Sequence, residues 1–219
     1  MKIFLDTAQV DIIEQYVPTG LIDGVTTNPS LLSKVGGQPL EVIKKIIHLL
    51  PKGDISVQVT YKEPAKVYEQ AKAIATLADN VIVKIPCHAQ YYPVIHKLIK
   101  EGIRINITML FSLSQALMMC KLGVTYISLI VGRLDDVNGD GIAVAHDIRV
   151  MLDQYNFETQ LLLASIRSMS RAQDAVASGA DAMTIPPVVL ECMMKHTLTD
   201  RGIAIFDADW HKLGVKQFP

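Results

Sequence analysis

The chain has no excess of charge of either sign, very little cysteine and no long apolar run, and each shortage removes a class of protein. Its 21 basic residues are matched by 22 acidic ones, a formal net charge of −1. No broad field therefore exists to gather nucleic acid or an anionic membrane, and any anion must be held locally. The three cysteines, Cys87, Cys120 and Cys192, lie far apart with no CxxC spacing. An odd, scattered count makes a poor disulfide framework, so a reducing compartment fits better. The longest uncharged run, 105–120, is broken by Asn106, Thr108, Ser112, Ser114 and Gln115 and falls short of the ~20 apolar residues of a spanning helix. At the amino terminus, MKIFLD meets Asp6 before a signal-peptide core of roughly 7–15 apolar residues can form. The expectation is a cytoplasmic protein without a membrane segment.

Pro/Gly/Ser-rich linkers are missing too, so residues 1–219 are expected to form one domain. With 219 residues, half of them hydrophobic, the chain can bury a sizeable core. Short aliphatic and β-branched runs recur over 2–6, 22–26, 55–59, 81–85, 103–108, 125–130, 161–164 and 182–185, eight candidate strands. Between them lie stretches of helical period, such as 64–77, where Val67, Ala71, Ile74 and Ala78 repeat at three and four, and 142–152. Near-continuous apolar strands such as VIVKIP and LLLAS suggest a parallel sheet covered on both faces. Eight alternating units predict an α/β fold, a small (β/α)8 TIM barrel. The competing open sheet would want a glycine fingerprint after its first strand; neither GxGxxG nor GxxxxGK followed by Ser or Thr occurs. Helical stretches at 188–195 and 200–210, the latter with Thr199 as N-cap, then the tail LGVKQFP, predict a C-terminal helical extension over about 186–219. Ile203, Ile205, Phe206 and Trp210 there would pack on a neighbouring subunit.

Barrel chemistry collects at the carboxyl ends of the strands. The first strand ends at Asp6, the second runs into Thr26, Thr27 and Asn28, and the third carries Gln58. The fourth holds Lys84, and the fifth Asn106 and Thr108. The sixth offers Ser128 and then Arg133, the seventh Ser165 and Arg167. Lys84 is the sharpest signal, because a lysine inside VIVKIP either snorkels to water or serves a purpose. A desolvated amine is more often neutral, and the neutral amine attacks carbonyls. Asp6 suits either a helix cap or a general base. The arginines stand near the usual barrel phosphate site. The segment Asp136-Val-Asn138-Gly-Asp140-Gly141 imitates an EF-hand opening, but TYISLIV before it reads as strand, so a turn feeding a helix is expected. The six histidines show no HExxH spacing, and no metal is assigned.

These residues sit in the stretches FLDTA, DGVTTNPSLL, VIVKIP, EGIRINITMLFS, VGRLDD, ASIRS, HTLTDRG and DADW, and along its whole length the chain resembles the small transaldolases and the related fructose-6-phosphate aldolases. The resemblance implies a class I aldolase barrel without metal or cofactor. It makes Lys84 the Schiff-base lysine and Asp6 the acid/base that handles the hydroxyl proton. Thr108, with Gln58, would orient the water of imine formation. Thr26, Asn28, Asn106, Ser128 and Ile130 would contact substrate, and Arg133, Ser165 and Arg167 would grip phosphate. The implied reaction moves a dihydroxyacetone unit from a ketose phosphate to an aldose phosphate, in a homo-oligomer, a pentamer or decamer.

Two positions depart from the transaldolase pattern. Gln58 stands where transaldolases carry glutamate, as in the aldolase branch, and can orient a water without taking its proton. Ile130 stands where aldolases carry a tyrosine and transaldolases a phenylalanine, which leans toward transfer, as do Asn106, Ser128 and Arg167. Transaldolase is the leading expectation, fructose-6-phosphate aldolase the alternative, and a catalytically weak sugar-phosphate-binding barrel the third.

Overall fold

A computed structural model describes residues 1–217. The last two residues of the tail, and with them the end of the expected 186–219 extension, lie outside the described residues. Eight parallel strands close a barrel in chain order. They are β1 (Lys2–Asp6), β2 (Gly24–Thr26), β3 (Asp54–Gln58), β4 (Val81–Pro86), β5 (Ile105–Leu110), β6 (Tyr126–Ile130), β7 (Gln160–Ala164) and β8 (Ala182–Ile185). After β1 comes α1 (Val10–Tyr16); after β2, α2 (Pro29–Val35) and α3 (Pro39–Leu49); after β3, α4 (Pro64–Ala75). Next come α5 (Tyr92–Lys100), α6 (Leu113–Leu122), the short α7 (Val131–Asp135), α8 (Gly141–Gln154) and α9 (Met169–Ala177). Two helices follow β8, α10 (Pro187–Met193) and α11 (Thr197–Leu213). The expected (β/α)8 barrel with an added C-terminal helix is what forms.

The strands are double-sided, and their period of two sorts the side chains. Odd-numbered residues such as Leu5, Val83, Ile127, Leu163 and Met183 join a large core shared with the helices, while Phe4, Ile82, Tyr126, Leu162 and Ala182 pack together inside the barrel. The even-numbered residues one step further along, Asp6, Lys84, Ser128, Ala164 and Thr184, line a cavity at the carboxyl ends. At the opposite end the barrel is plugged by charge: Tyr126 donates to Asp54 at 2.7 Å, and Lys2 and Arg104 donate to Tyr126 and Asp54 at 2.8 and 2.7 Å. Burial, with the Asp54 carboxylate beside it, holds the Tyr126 phenol well above its ordinary pKa. Closure leaves no room at Gly24, where a Cβ would stand 2.4 Å from the Asp54 carbonyl.

Several expected boundaries move. β2 begins at Gly24, not 22, and β5 runs from Ile105 to Leu110 rather than from 103 to 108. Thr199 is not the cap of the last helix. His196, in extended backbone, accepts from the Leu198 N–H at 3.2 Å and starts α11 at Thr197, leaving Thr199 in the first turn. The strand before the EF-hand-like segment does not run straight into the turn, since α7 intervenes. Asp140 then caps α8, accepting from the Ile142 and Ala143 N–H groups at 3.1 Å. Among the described residues no group of three or more His, Cys, Asp or Glu side chains could hold a metal ion, and no helix is long and apolar enough to cross a membrane.

Candidate active site

The cavity at the carboxyl ends encloses about 380 Å³. Strand register assembles its floor: Lys84 of β4 stands between Gln58 of β3 and Asn106 of β5, and Asp6 of β1 beside Thr26 of β2. The charged side chains among its lining residues are Asp6, Lys84 and Arg133.

Lys84 is 7% exposed and donates from Nζ to the Thr27 carbonyl at 3.2 Å. Burial pushes its ammonium pKa down, and the Asp6 carboxylate opposes that shift only in part. Burial and a lowered pKa favour the neutral form of the amine, the form that can act as a nucleophile. Asp6 accepts a 2.7 Å hydrogen bond from the Thr26 hydroxyl, which also lies 2.6 Å from the Thr184 hydroxyl.

The remaining sequence-predicted residues divide into three groups. Gln58, Thr108, Ile130 and Ser128 line the cavity. Asn28 lines it too, but its Oδ1 accepts from the Leu31 N–H at 3.0 Å and caps α2, which leaves the amide Nδ2 as its donor to a ligand. Asn106 is fully buried and stands behind the lining, donating to Ser56 at 3.0 Å and accepting from Ser128 at 2.7 Å. The three residues expected at the phosphate do not converge equally. Arg133 and Ser165 line the cavity. Arg167 is not among the lining residues; its Nη1 donates to both oxygens of Asp136, at 2.7 and 2.9 Å, and its Nε to Ser165 Oγ at 3.1 Å.

Six lining residues were not named from sequence: Pro29, Ser30 and Leu31 at the start of α2, Ala164 at the end of β7, Thr184 and Met109. Thr184 could have been found by applying the strand-end rule to AMTI. Met109 carried no signal: a register irregularity between Ile107 and Leu110 puts it in left-handed backbone at φ 56°. Its sulfur lies 3.4 Å from Arg133 Nη1.

Comparison with known proteins bears on the fold and the family. One structure, a mutant flavocytochrome b2 with pyruvate bound, superposes with a TM-score of 0.61 at 14% identity over 86% of this chain. The chain spans 57% of that protein's length, and the likeness is one of fold. In sequence, the chain is 46% identical over 211 residues to a protein named probable transaldolase from Dehalococcoides mccartyi, covering 96% of this chain and 98% of that one. It is 43% identical over 217 residues to another so named from Parvibaculum lavamentivorans, covering 99% of each. A profile of the family described as Transaldolase/Fructose-6-phosphate aldolase matches residues 3–216. Matched end to end, with a buried lysine and a carboxylate in the barrel mouth, the chain belongs to the transaldolase/fructose-6-phosphate aldolase family.

Proposed function

We propose that the protein is a transaldolase that works through a Schiff base on Lys84. It moves a dihydroxyacetone unit from sedoheptulose 7-phosphate or fructose 6-phosphate to glyceraldehyde 3-phosphate or erythrose 4-phosphate, the chemistry of the pentose phosphate pathway. The observation that supports this most is Lys84 itself, buried at 7% exposure with its pKa depressed by desolvation.

The neutral amine attacks the ketose carbonyl carbon, and loss of water with uptake of one proton from solvent leaves a protonated imine; Thr108 and Gln58 hold that water. Asp6 takes the proton of the hydroxyl two carbons along. The carbon–carbon bond between them breaks, its electron pair flows to the iminium nitrogen, and the aldose phosphate departs. The resulting enamine attacks the carbonyl of the acceptor aldose, and Asp6 returns its proton to the new alkoxide. Water then releases the new ketose and restores the amine. Thr26, Asn28, Asn106, Ser128 and Ile130 shape the sugar subsite, and Arg133, Ser165 and Arg167 the phosphate end. The same resemblance supports a cytoplasmic homo-oligomer, a pentamer or decamer.

A second reading, fructose-6-phosphate aldolase, is favoured by Gln58 at the cavity wall. Trapping decides the common chemistry. Borohydride with fructose 6-phosphate should leave a stable mass adduct on Lys84, and Lys84→Met should yield none while remaining folded. An adduct on another lysine overturns the assignment to Lys84, and none on the wild type overturns the proposal and leaves a sugar-phosphate-binding barrel.

A further inference from the structure

We infer that Thr184 is a positioning residue for the reaction, acting on Asp6 through Thr26. The inference rests on the acid/base role proposed for Asp6, but the geometry stands by itself. Thr184 on β8 and Thr26 on β2 flank β1, and their hydroxyl oxygens meet at 2.6 Å while Thr26 reaches Asp6 Oδ1 at 2.7 Å. Both threonines are buried, at 2% and 1% exposure, and both line the cavity.

Proton counting fixes the direction of this chain. A hydroxyl carries one hydrogen, and an ionised carboxylate can only accept. Thr26 therefore spends its hydrogen on Asp6, so the hydrogen between the two threonines belongs to Thr184. Thr184 thereby holds Thr26 in the one rotor position that serves the carboxylate, and each bond polarises the next. Once Asp6 holds a substrate proton on Oδ1, the chain inverts by rotation of its O–H bonds. The carboxylic acid donates to Thr26, Thr26 donates to Thr184, and the Thr184 hydrogen turns to the cavity. Each hydroxyl keeps one hydrogen throughout, and no heavy atom has to move. A lone Thr26 would leave its own hydrogen unpaired whenever it accepts from the acid; Thr184 takes that hydrogen, so the pair stays satisfied in both protonation states of a residue that takes and returns a proton.

Thr184→Val removes the donor and keeps the shape. The acid limb of kcat/KM should move to higher pH, because hydrogen bonding to the carboxylate favours the ionised form and weakening it disfavours that form. The other charged side chains lining the cavity, Lys84 on β4 and Arg133 on α7, are unchanged in this variant. At the pH optimum kcat should fall about tenfold, the equivalent of one ordinary buried hydrogen bond, with KM held within about twofold. Thr184→Ser should recover most of the loss. In a Thr26→Val background the Thr184→Val change should have little further effect.

Three results would overturn the inference: kcat within about twofold of wild type, an unshifted acid limb, or a full tenfold loss persisting in the Thr26→Val background. Failure of the proposed function is told apart by the wild type, which would then trap no imine on Lys84. Asp6 can still be read in that case by infrared titration of its carboxylate band, identified by difference against Asp6→Asn. It should protonate at higher pH in Thr184→Val than in wild type, and an unchanged midpoint counts against the chain. Unfolding temperatures of the valine and serine variants separate a folding defect from a positioning one.

Discussion

Replacing Arg133 by alanine tests the phosphate end of the site, and its expected size follows from the surroundings. The contact the structure gives Arg133 Nη1 is the Met109 thioether, 3.4 Å away, a weak acceptor. A phosphate would displace it with little loss. Arg167 is occupied by both oxygens of Asp136. Of the two guanidiniums proposed for the phosphate end, that of Arg133 is therefore the one whose contact a phosphate can most readily replace. Two charge-assisted hydrogen bonds at roughly 1.5–3 kcal/mol each give a gross contribution of about 3–6 kcal/mol. Arg133 lies at the exposed rim, where solvent screens part of this, so a net loss of about 2–3 kcal/mol is expected.

That loss corresponds to about a 30- to 150-fold drop in kcat/KM for fructose 6-phosphate. Unphosphorylated dihydroxyacetone should change by less than about threefold, since it has no group to place at Arg133. The Arg167–Asp136 pair is itself half-exposed, 54% and 53%, and such pairs contribute only about 0–1 kcal/mol. Asp136→Asn should therefore release Arg167 and shrink the loss on Arg133→Ala. Steady-state kinetics on the two donors, with and without inorganic phosphate as inhibitor, provide the measurement. Equal losses for both donors would refute the reasoning, because Arg133 would then be supporting the barrel or Lys84.

Asp6→Asn should lower turnover by roughly 10²–10⁴-fold through loss of the acid/base group. It should also move the pH midpoint of borohydride trapping downward, because the carboxylate that props up the Lys84 pKa is gone; an upward or absent shift contradicts the electrostatics. Ile130→Tyr should raise release of free dihydroxyacetone relative to transfer, measured with and without erythrose 4-phosphate, and an unchanged ratio removes Ile130 from the account. Truncation after Lys195 should leave the barrel folded, since α11 carries no buried residue, yet lower the mass seen by light scattering, since Leu198, Ile203 and Phe206 are exposed; an unchanged mass refutes its role in assembly.

The chemical half of the site was legible because it rides on regular strands. Once β4 is recognised, the alternation that points Ile82 into the barrel points Lys84 the same way, and an amine on a buried face demands an explanation. The same alternation delivers Asp6, Thr26, Gln58, Thr108 and Ser128 to the cavity. Boundaries were less legible. The run at 22–26 contains the apolar Ile22, yet the ladder starts only at Gly24, the position where the Asp54 carbonyl closes on the chain. Thr199 has the composition of a cap, but His196 holds the extended backbone and the acceptor nitrogen three residues earlier. The resemblance makes Asn106 a substrate contact; its burial behind Ser128 depends on contacts between three strands that no single segment encodes.

The phosphate half is built differently, and that explains why its geometry was hidden. Among the described residues four non-glycine positions have left-handed backbone: Met109, Asn138, Asn156 and Ser165. Two are asparagines, which tolerate that region. The other two, Met109 at φ 56° and Ser165 at φ 61°, both line the cavity. Each such residue costs on the order of 1–3 kcal/mol and persists only where its surroundings over-determine it. At Ser165 the surroundings are Gly132, whose missing Cβ would stand 2.4 Å from the Ser165 carbonyl and 3.0 Å from Arg167 Nε. The exit of β7 is thus folded against bare backbone at the start of α7. That contact aims Ser165 into the cavity and brings Arg167 within reach of Asp136, just beyond α7. At Met109 the irregularity in β5 lays a sulfur against the Arg133 guanidinium. Strain in β5 and just past β7 therefore converges on the proposed anion subsite, while the lysine and the aspartate stand on unstrained ladders. On the proposed reading, the barrel positions the bond-making groups by periodicity and the anion grip by exceptions to it.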